Sequence, residues 1–184
     1  MRRKVAVLLC AVSALALGAS SAAAQARGYI GFGVGPSITM GDFSDVFKTG
    51  FIGHVVAGIT GPTGLIGGRI NGSFAKHSTQ DGVIPDGDVT MIGAIGDLVV
   101  QPGLAEAKVR PYFFGGVGFM SVKEEPTGGT SVTNTEVAYN FGAGLTLAAG
   151  ARIKLFLEAR WLSVQSDPTL NSIPITVGLR WGGP

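Results

Sequence analysis

The sequence predicts an all-β fold: an eight-stranded antiparallel transmembrane β-barrel, connected as an up-and-down meander behind a cleaved signal peptide. Three observations carry this. Residues 137–164 alternate apolar and polar side chains on both sides of the small-residue turn Ala148-Ala149-Gly150-Ala151. Eight segments of strand length follow one another, with connections that alternate short and longer. An export leader opens the chain, and after it no apolar run reaches the roughly 18 residues that a membrane-spanning helix needs.

The leader comes first in the chain. Arg2, Arg3 and Lys4 form a positive start, Val5 to Leu17 an apolar core, and Ala22-Ala23-Ala24 a small-x-small cleavage site. We therefore expect residues 1–24 to be a signal peptide, with Ala24-Gln25-Ala26 as an alternative site, and residues 27–184 to form one barrel domain. The single cysteine, Cys10, lies in the apolar core. Leu9 precedes it where a lipid-attachment motif wants a small residue, so it is read as a core residue lost on cleavage. The mature chain then has no disulfide.

The strands follow in order. Residues 28–40 put Ile30, Phe32, Val34 and Ile38 on one face and Gly31, Gly33, Gly35 and Ser37 on the other. In residues 51–60 both faces are largely apolar, and only His54 suggests an inward side. Residues 65–76 oppose Ile66, Ile70 and Phe74 to Arg69, Asn71 and Ser73; residues 89–101 oppose Ile92, Ala94, Leu98 and Val100 to Asp97. Residues 109–122 carry aromatics on both faces and leave their orientation open. Residues 137–147 set Val137, Tyr139, Phe141, Ala143, Leu145 and Leu147 against Glu136, Asn140 and Thr146. Residues 152–164 set Ile153, Leu155, Leu157, Ala159 and Trp161 against Arg152, Lys154, Glu158 and Arg160, and residues 173–181 close with Ile173, Ile175, Val177, Leu179 and Trp181 against Thr176, Gly178 and Arg180. A period of two with one apolar and one charged face suits a barrel with lipid outside and a hydrated or salt-bridged interior.

Short connections (Gly61-Pro62-Thr63-Gly64, the stretch around Pro102-Gly103, and residues 148–151) follow the even strands. Longer ones follow the odd strands, which places both termini in the periplasm and four loops outside. Phe74, Tyr139 and Trp161 then fall at one rim and Trp181 at the other, as an aromatic girdle requires. Of the 14 Lys and Arg, three lie in the leader, so the mature chain is close to neutral against 12 Asp and Glu. It has no basic run, which excludes a nucleic-acid-binding footprint. The 30 glycines would not suit a helical bundle, but a curved barrel uses them where strands crowd.

Arg110-Pro111-Tyr112-Phe113-Phe114-Gly115-Gly116-Val117-Gly118-Phe119 resembles the R-P-Y-x-x-x-G-x-G-aromatic strand of small OmpA-like and opacity-type outer-membrane barrels. Leu157-Glu158-Ala159-Arg160-Trp161 is similar to the strand that follows it in that family. Thr176 to Trp181 resembles the closing signal read by the outer-membrane assembly machinery, although Gly182-Gly183-Pro184 follow the aromatic here. The resemblance implies outer-membrane location, contact with outer-membrane lipids and with that machinery, and no cofactor.

For chemistry, Arg69, Asp97, Glu158, Arg160 and Arg180 fall on inward positions of four strands. They are expected to form a mixed-sign network inside the lumen, since unpaired charges there are costly. An eight-stranded barrel leaves room for little beyond side chains. Catalysis by a His-x-Ser pair on one strand face, as in lipid A deacylases, is not supported: His77 and Ser78 are adjacent, and Thr79 is a poor nucleophile. Asp81, Asp86 and Asp88 read as turn residues rather than a calcium cage. The expectation is a non-enzymatic protein of envelope integrity, surface interaction or adhesion, with a narrow low-conductance pore as the alternative. A soluble periplasmic lipocalin-like barrel, with the faces inverted, is the third.

Overall fold

Each of eight strands pairs antiparallel with the next, and the last returns to the first, closing a barrel in the computed structural model. It describes residues 26–82, 86–103, 107–150 and 152–183; the expected leader and Cys10 lie outside them. The elements are β1 (Arg27–Met40), a one-turn α1 (Asp42–Val46), β2 (Gly50–Thr60), β3 (Ile66–Ser78), β4 (Gly87–Val100), β5 (Val109–Pro126), β6 (Val132–Ala148), β7 (Ile153–Val164) and β8 (Leu170–Gly182). Both described termini lie at the end that carries the connections after β2, β4 and β6, here called the turn end; the opposite end is the loop end. Closure pairs every strand with a neighbour on each side through the body of the wall.

Parity follows the expected faces on β1, β3, β4, β6, β7 and β8. Every strand places large apolar side chains outward, among them Phe32, Val55, Ile70, Leu98, Phe119, Phe141, Leu157 and Val177. An exposed apolar belt of this extent does not suit a barrel surrounded by water, so the inverted, lipocalin-like alternative is corrected here. β2 and β5, whose faces the sequence left open, are also fixed. Ile52, His54 and Val56 point inward on β2, and Arg110, Tyr112, Phe114, Met120 and Val122 point inward on β5.

Two differences from expectation stand out. The longer connections after β5 and β7 are largely strand, because β5 pairs with β6 as far as Glu124↔Val132 and β7 with β8 as far as Val164↔Leu170. What is left of them is residues 127–131 and 165–169, whereas the connection expected to be short, residues 101–108, exceeds both. The interior, moreover, is polar only in part. Towards the loop end it is filled by Phe43, Ile52, Met91, Ile95, Met120, Leu162 and Val164, all buried in one cluster. Phe43 comes from α1, which folds over the barrel mouth. Lys48 N donates to Ser78 O (2.8 Å) and Gln80 N to Val46 O (2.7 Å), which fastens this loop to the end of β3.

Many inward glycines are explained by the rings beside them. Tyr29 pairs with Gly58 and His54 with Gly33. Tyr112 pairs with Gly144, Phe114 with Gly142 and Phe156 with Gly178. In each pair the ring occupies the space that a Cβ on the partner would need. Five buried rings fit into a narrow lumen because the neighbouring strand carries a glycine beside each.

Candidate functional site

The candidate site is the middle of the lumen, where β2, β3, β4, β5 and β7 each deliver polar side chains. Inward parity fixes which residues arrive, and register fixes their depth. Arg69 and Asp97 are direct cross-strand partners, and Glu158 and Arg160 lie two apart on one face of β7. Arg69 Nε donates to Asp97 Oδ2 and its Nη1 to Glu158 Oε2, both at 2.7 Å. Arg160 Nη2 closes on Glu158 Oε1 at 2.6 Å, and Tyr112 Oη donates to Glu158 Oε2 at 2.9 Å. Glu158 is therefore the hub, receiving two guanidinium groups and a phenol while only 1% exposed. The alternating signs compensate the desolvation that isolated buried charges would suffer.

Around this hub, the Arg69 guanidinium lies over the Phe114 ring at 4.1 Å, a favourable cation–π geometry in a dry setting. Arg160 Nη2 lies 2.6 Å from His54 Nδ1. Asn71, with its amide oxygen turned towards the guanidinium, accepts from Arg160 Nη2 at 3.0 Å.

Of the five expected network residues, Arg69, Asp97, Glu158 and Arg160 come together. Arg180 is buried in the same lumen nearer the turn end but makes no ion pair among the described residues; its guanidinium stacks on Tyr29 at 4.4 Å. Sequence reasoning missed Tyr112 and His54 as partners and Arg110 as a buried cation. Arg110 sits at the turn end, where Nη2 donates to Gly64 O (3.0 Å) and Gln101 O (3.4 Å), tying two turns together. The arginine itself is the signal that could have set the parity of β5, since a charged residue between Val109 and Pro111 belongs inside.

The four expected girdle residues all point outward. Trp161 packs on Phe141 (5.2 Å between centroids) and Phe74 on Phe51 (5.8 Å) near the loop end. Tyr139 lies close by on β6, and Trp181 packs on Phe32 (5.5 Å) nearer the turn end. His77 and Thr79 share the inward face but do not meet as base and nucleophile. His77 Nδ1 is bonded to Lys48 O (3.2 Å) and its ring packs on Phe43, while the Thr79 hydroxyl donates to Asp86. Asp81 and Asp88 are taken by Lys48 and Lys76, and among the described residues no three acidic, His or Cys groups converge as a metal site.

The closed barrel has counterparts among solved structures. The chain is similar to Neisserial surface protein A, with a TM-score of 0.63, 14% identity, and 84% of this chain and 96% of that one covered. It is similar to Ail, the attachment invasion locus protein of Yersinia pestis, at 0.57 and 18%, covering 86% of this chain and 99% of that one. A major outer membrane protein from Thermus thermophilus gives 0.57 and 13%, covering 86% and 99%. At these identities the likeness carries the fold alone. No curated protein matches in sequence. A family model for the outer membrane protein beta-barrel domain, however, matches residues 7–180, nearly the whole chain. The chain therefore belongs to the outer membrane protein β-barrel family.

Proposed function

We propose that this outer-membrane barrel is a non-enzymatic surface protein that works through its loop end, with the lumen serving as a structural lock. The observation that carries this is the filling of the lumen in two layers, the Glu158-centred network and the apolar cluster under Phe43. A path for solute would have to displace both, which speaks against the narrow-pore alternative. Chemistry is left to the exterior. There β6 rises beyond Ala138↔Val164, its last residue pair with β7, so residues 132–136 pair with β5 along one edge and, among the described residues, leave the other unpaired. Such an edge is suited to receiving an extended segment of a partner.

The charge of that end narrows the partner. Among the described residues, Asp42, Asp45, Asp81, Asp86, Asp88, Glu124, Glu125, Glu136 and Asp167 stand at the loop end. The three lysines there are each already paired with one of these carboxylates. A net acidic crown favours cationic partners and repels polyanions. Ail is recorded in complex with the heparin analogue sucrose octasulfate; adhesion by this chain is proposed to use surface of the opposite sign. The same reading puts the loop end outside the cell and both termini in the periplasm, after cleavage of the leader at residue 24 or 26. Outer-membrane lipid then surrounds the apolar belt, and Thr176 to Trp181 serve as the assembly signal.

The test begins with the outer-membrane fraction on a denaturing gel with and without boiling, where a heat-dependent shift marks the folded barrel. The refolded barrel in nanodiscs of zwitterionic lipid is then offered a lysine-rich peptide and, separately, heparin. Salt-sensitive peptide binding that falls when residues 124–134 are replaced by an Asn-Gly turn supports the proposal. Heparin binding, or steady conductance in a planar bilayer, overturns it.

A further inference from the structure

The turn-end half of the lumen holds more positive charge than its carboxylates answer. Among the described residues, four arginines are buried there and in the network (Arg69, Arg110, Arg160 and Arg180) against two carboxylates, Asp97 and Glu158. Arg69 engages both carboxylates and Arg160 engages Glu158, while Arg110 is turned to backbone carbonyls of the turns. Among the described residues Arg180 has neither kind of partner. Its Nε and Nη2 are buried without a hydrogen bond, and so is Nη2 of Arg69. Stacking on Tyr29 covers the face of the Arg180 guanidinium but leaves its edge N–H groups unanswered. The orphaned nitrogens belong to two side chains that line one cavity of about 10 Å³, walled otherwise by Tyr29, Tyr112, Thr146 and Phe156 and their apolar neighbours. Neither Asp97 nor Glu158 lines it.

We propose that this cavity is a binding site for a small monovalent anion, chloride in the first instance, held between Arg180 and Arg69. The volume admits about one water-sized occupant, and a halide is only slightly larger. Sulfate, phosphate and carboxylate ligands are too large. Walls such as Val56, Val99 and Phe156 keep the site weakly polar, which strengthens the attraction between an anion and the guanidinium edges. A bound chloride offsets one of the two positive charges that Asp97 and Glu158 leave unanswered among these residues. The inference is independent of the role proposed for the loops.

The experiment follows the thermal midpoint of the gel shift for the purified barrel in detergent, at constant ionic strength, as sodium gluconate is replaced by sodium chloride, bromide or sulfate. A saturable rise of the midpoint is expected with chloride and bromide and none with sulfate. The rise should disappear in Arg180→Gln and persist in Arg152→Gln, which removes an exposed charge at the same end. Bromide-soaked crystals of the wild-type barrel provide a readout that does not depend on any variant folding: an anomalous peak between Arg180 and Arg69 is expected. A midpoint indifferent to the choice of anion, an unchanged chloride dependence in Arg180→Gln, or no bromide in the cavity overturns the proposal.

Discussion

The two halves of the lumen are lined by the inward faces of the same barrel, yet they hold it together differently. The loop-end half is a packed volume of Phe43, Ile52, Met91, Ile95, Met120 and Leu162, in which shape and apolarity matter more than identity. The turn-end half is a set of directed contacts in which Glu158 must meet Arg69, Arg160 and Tyr112 at once. Non-directional packing tolerates many sequences; a charged hub tolerates one arrangement of donors. A one-residue slip of β3 against β4 would send Arg69 to the outer face, so the hub also specifies register.

The largest expected effect comes from breaking the hub. Glu158→Ala leaves two buried guanidinium groups and a phenol without their shared acceptor, and should destabilise the barrel by about 3–5 kcal/mol. Urea unfolding of the refolded protein in bilayers, followed by the gel shift, measures this. A loss within about 1 kcal/mol would mean that water or another group replaces the carboxylate at little cost. Bilayer conductance separates the halves further. Glu158→Ala alone should stay silent, because the apolar half still fills the mouth, and only its combination with Phe43→Ala should conduct.

Phe43→Ala by itself comes next. Truncating a buried Phe within a sheet typically costs about 3–5 kcal/mol, but Phe43 is on a loop that can lift away instead of leaving a cavity, so the loss should stay below about 3 kcal/mol. The expected signature is faster proteolysis within residues 41–49 with an intact heat-dependent gel shift. Equal loss of both would show that the loop is integral to the barrel.

How far these halves were legible in the sequence follows from their chemistry. Where outward apolar residues oppose charges, as in Ile70 against Arg69 or Leu157 against Glu158, the period of two gave the face without ambiguity. On β2 and β5 the inward positions near the loop end are themselves apolar (Ile52, Met120, Val122), so the contrast that reveals a face is missing. The extra height of β5 and β6 was hidden because Lys123 to Glu125 and Thr133 to Thr135 are polar on both faces and carry no period. Inward parity named Arg69, Asp97, Glu158 and Arg160 as network residues, but which of them meet lay beyond local pattern. Arg69 and Glu158 are separated by 89 residues and meet across the lumen, so their contact depends on how the strands are staggered around the barrel rather than on spacing along the chain.

Conservative substitutions give the smallest and most discriminating effects. Met120→Leu preserves volume in the apolar half and should cost less than about 1.5 kcal/mol. Arg160→Lys preserves charge in the other half, yet a lysine offers one compact ammonium where Arg160 reaches Glu158, His54 and Asn71 through a planar fork. Leaving one of those acceptors unanswered should cost about 1–3 kcal/mol. If the two losses are equal under the same urea titration, the distinction between a packed half and a directed half fails. If Arg160→Lys is clearly the more damaging, the lumen is held at one end by volume and at the other by geometry.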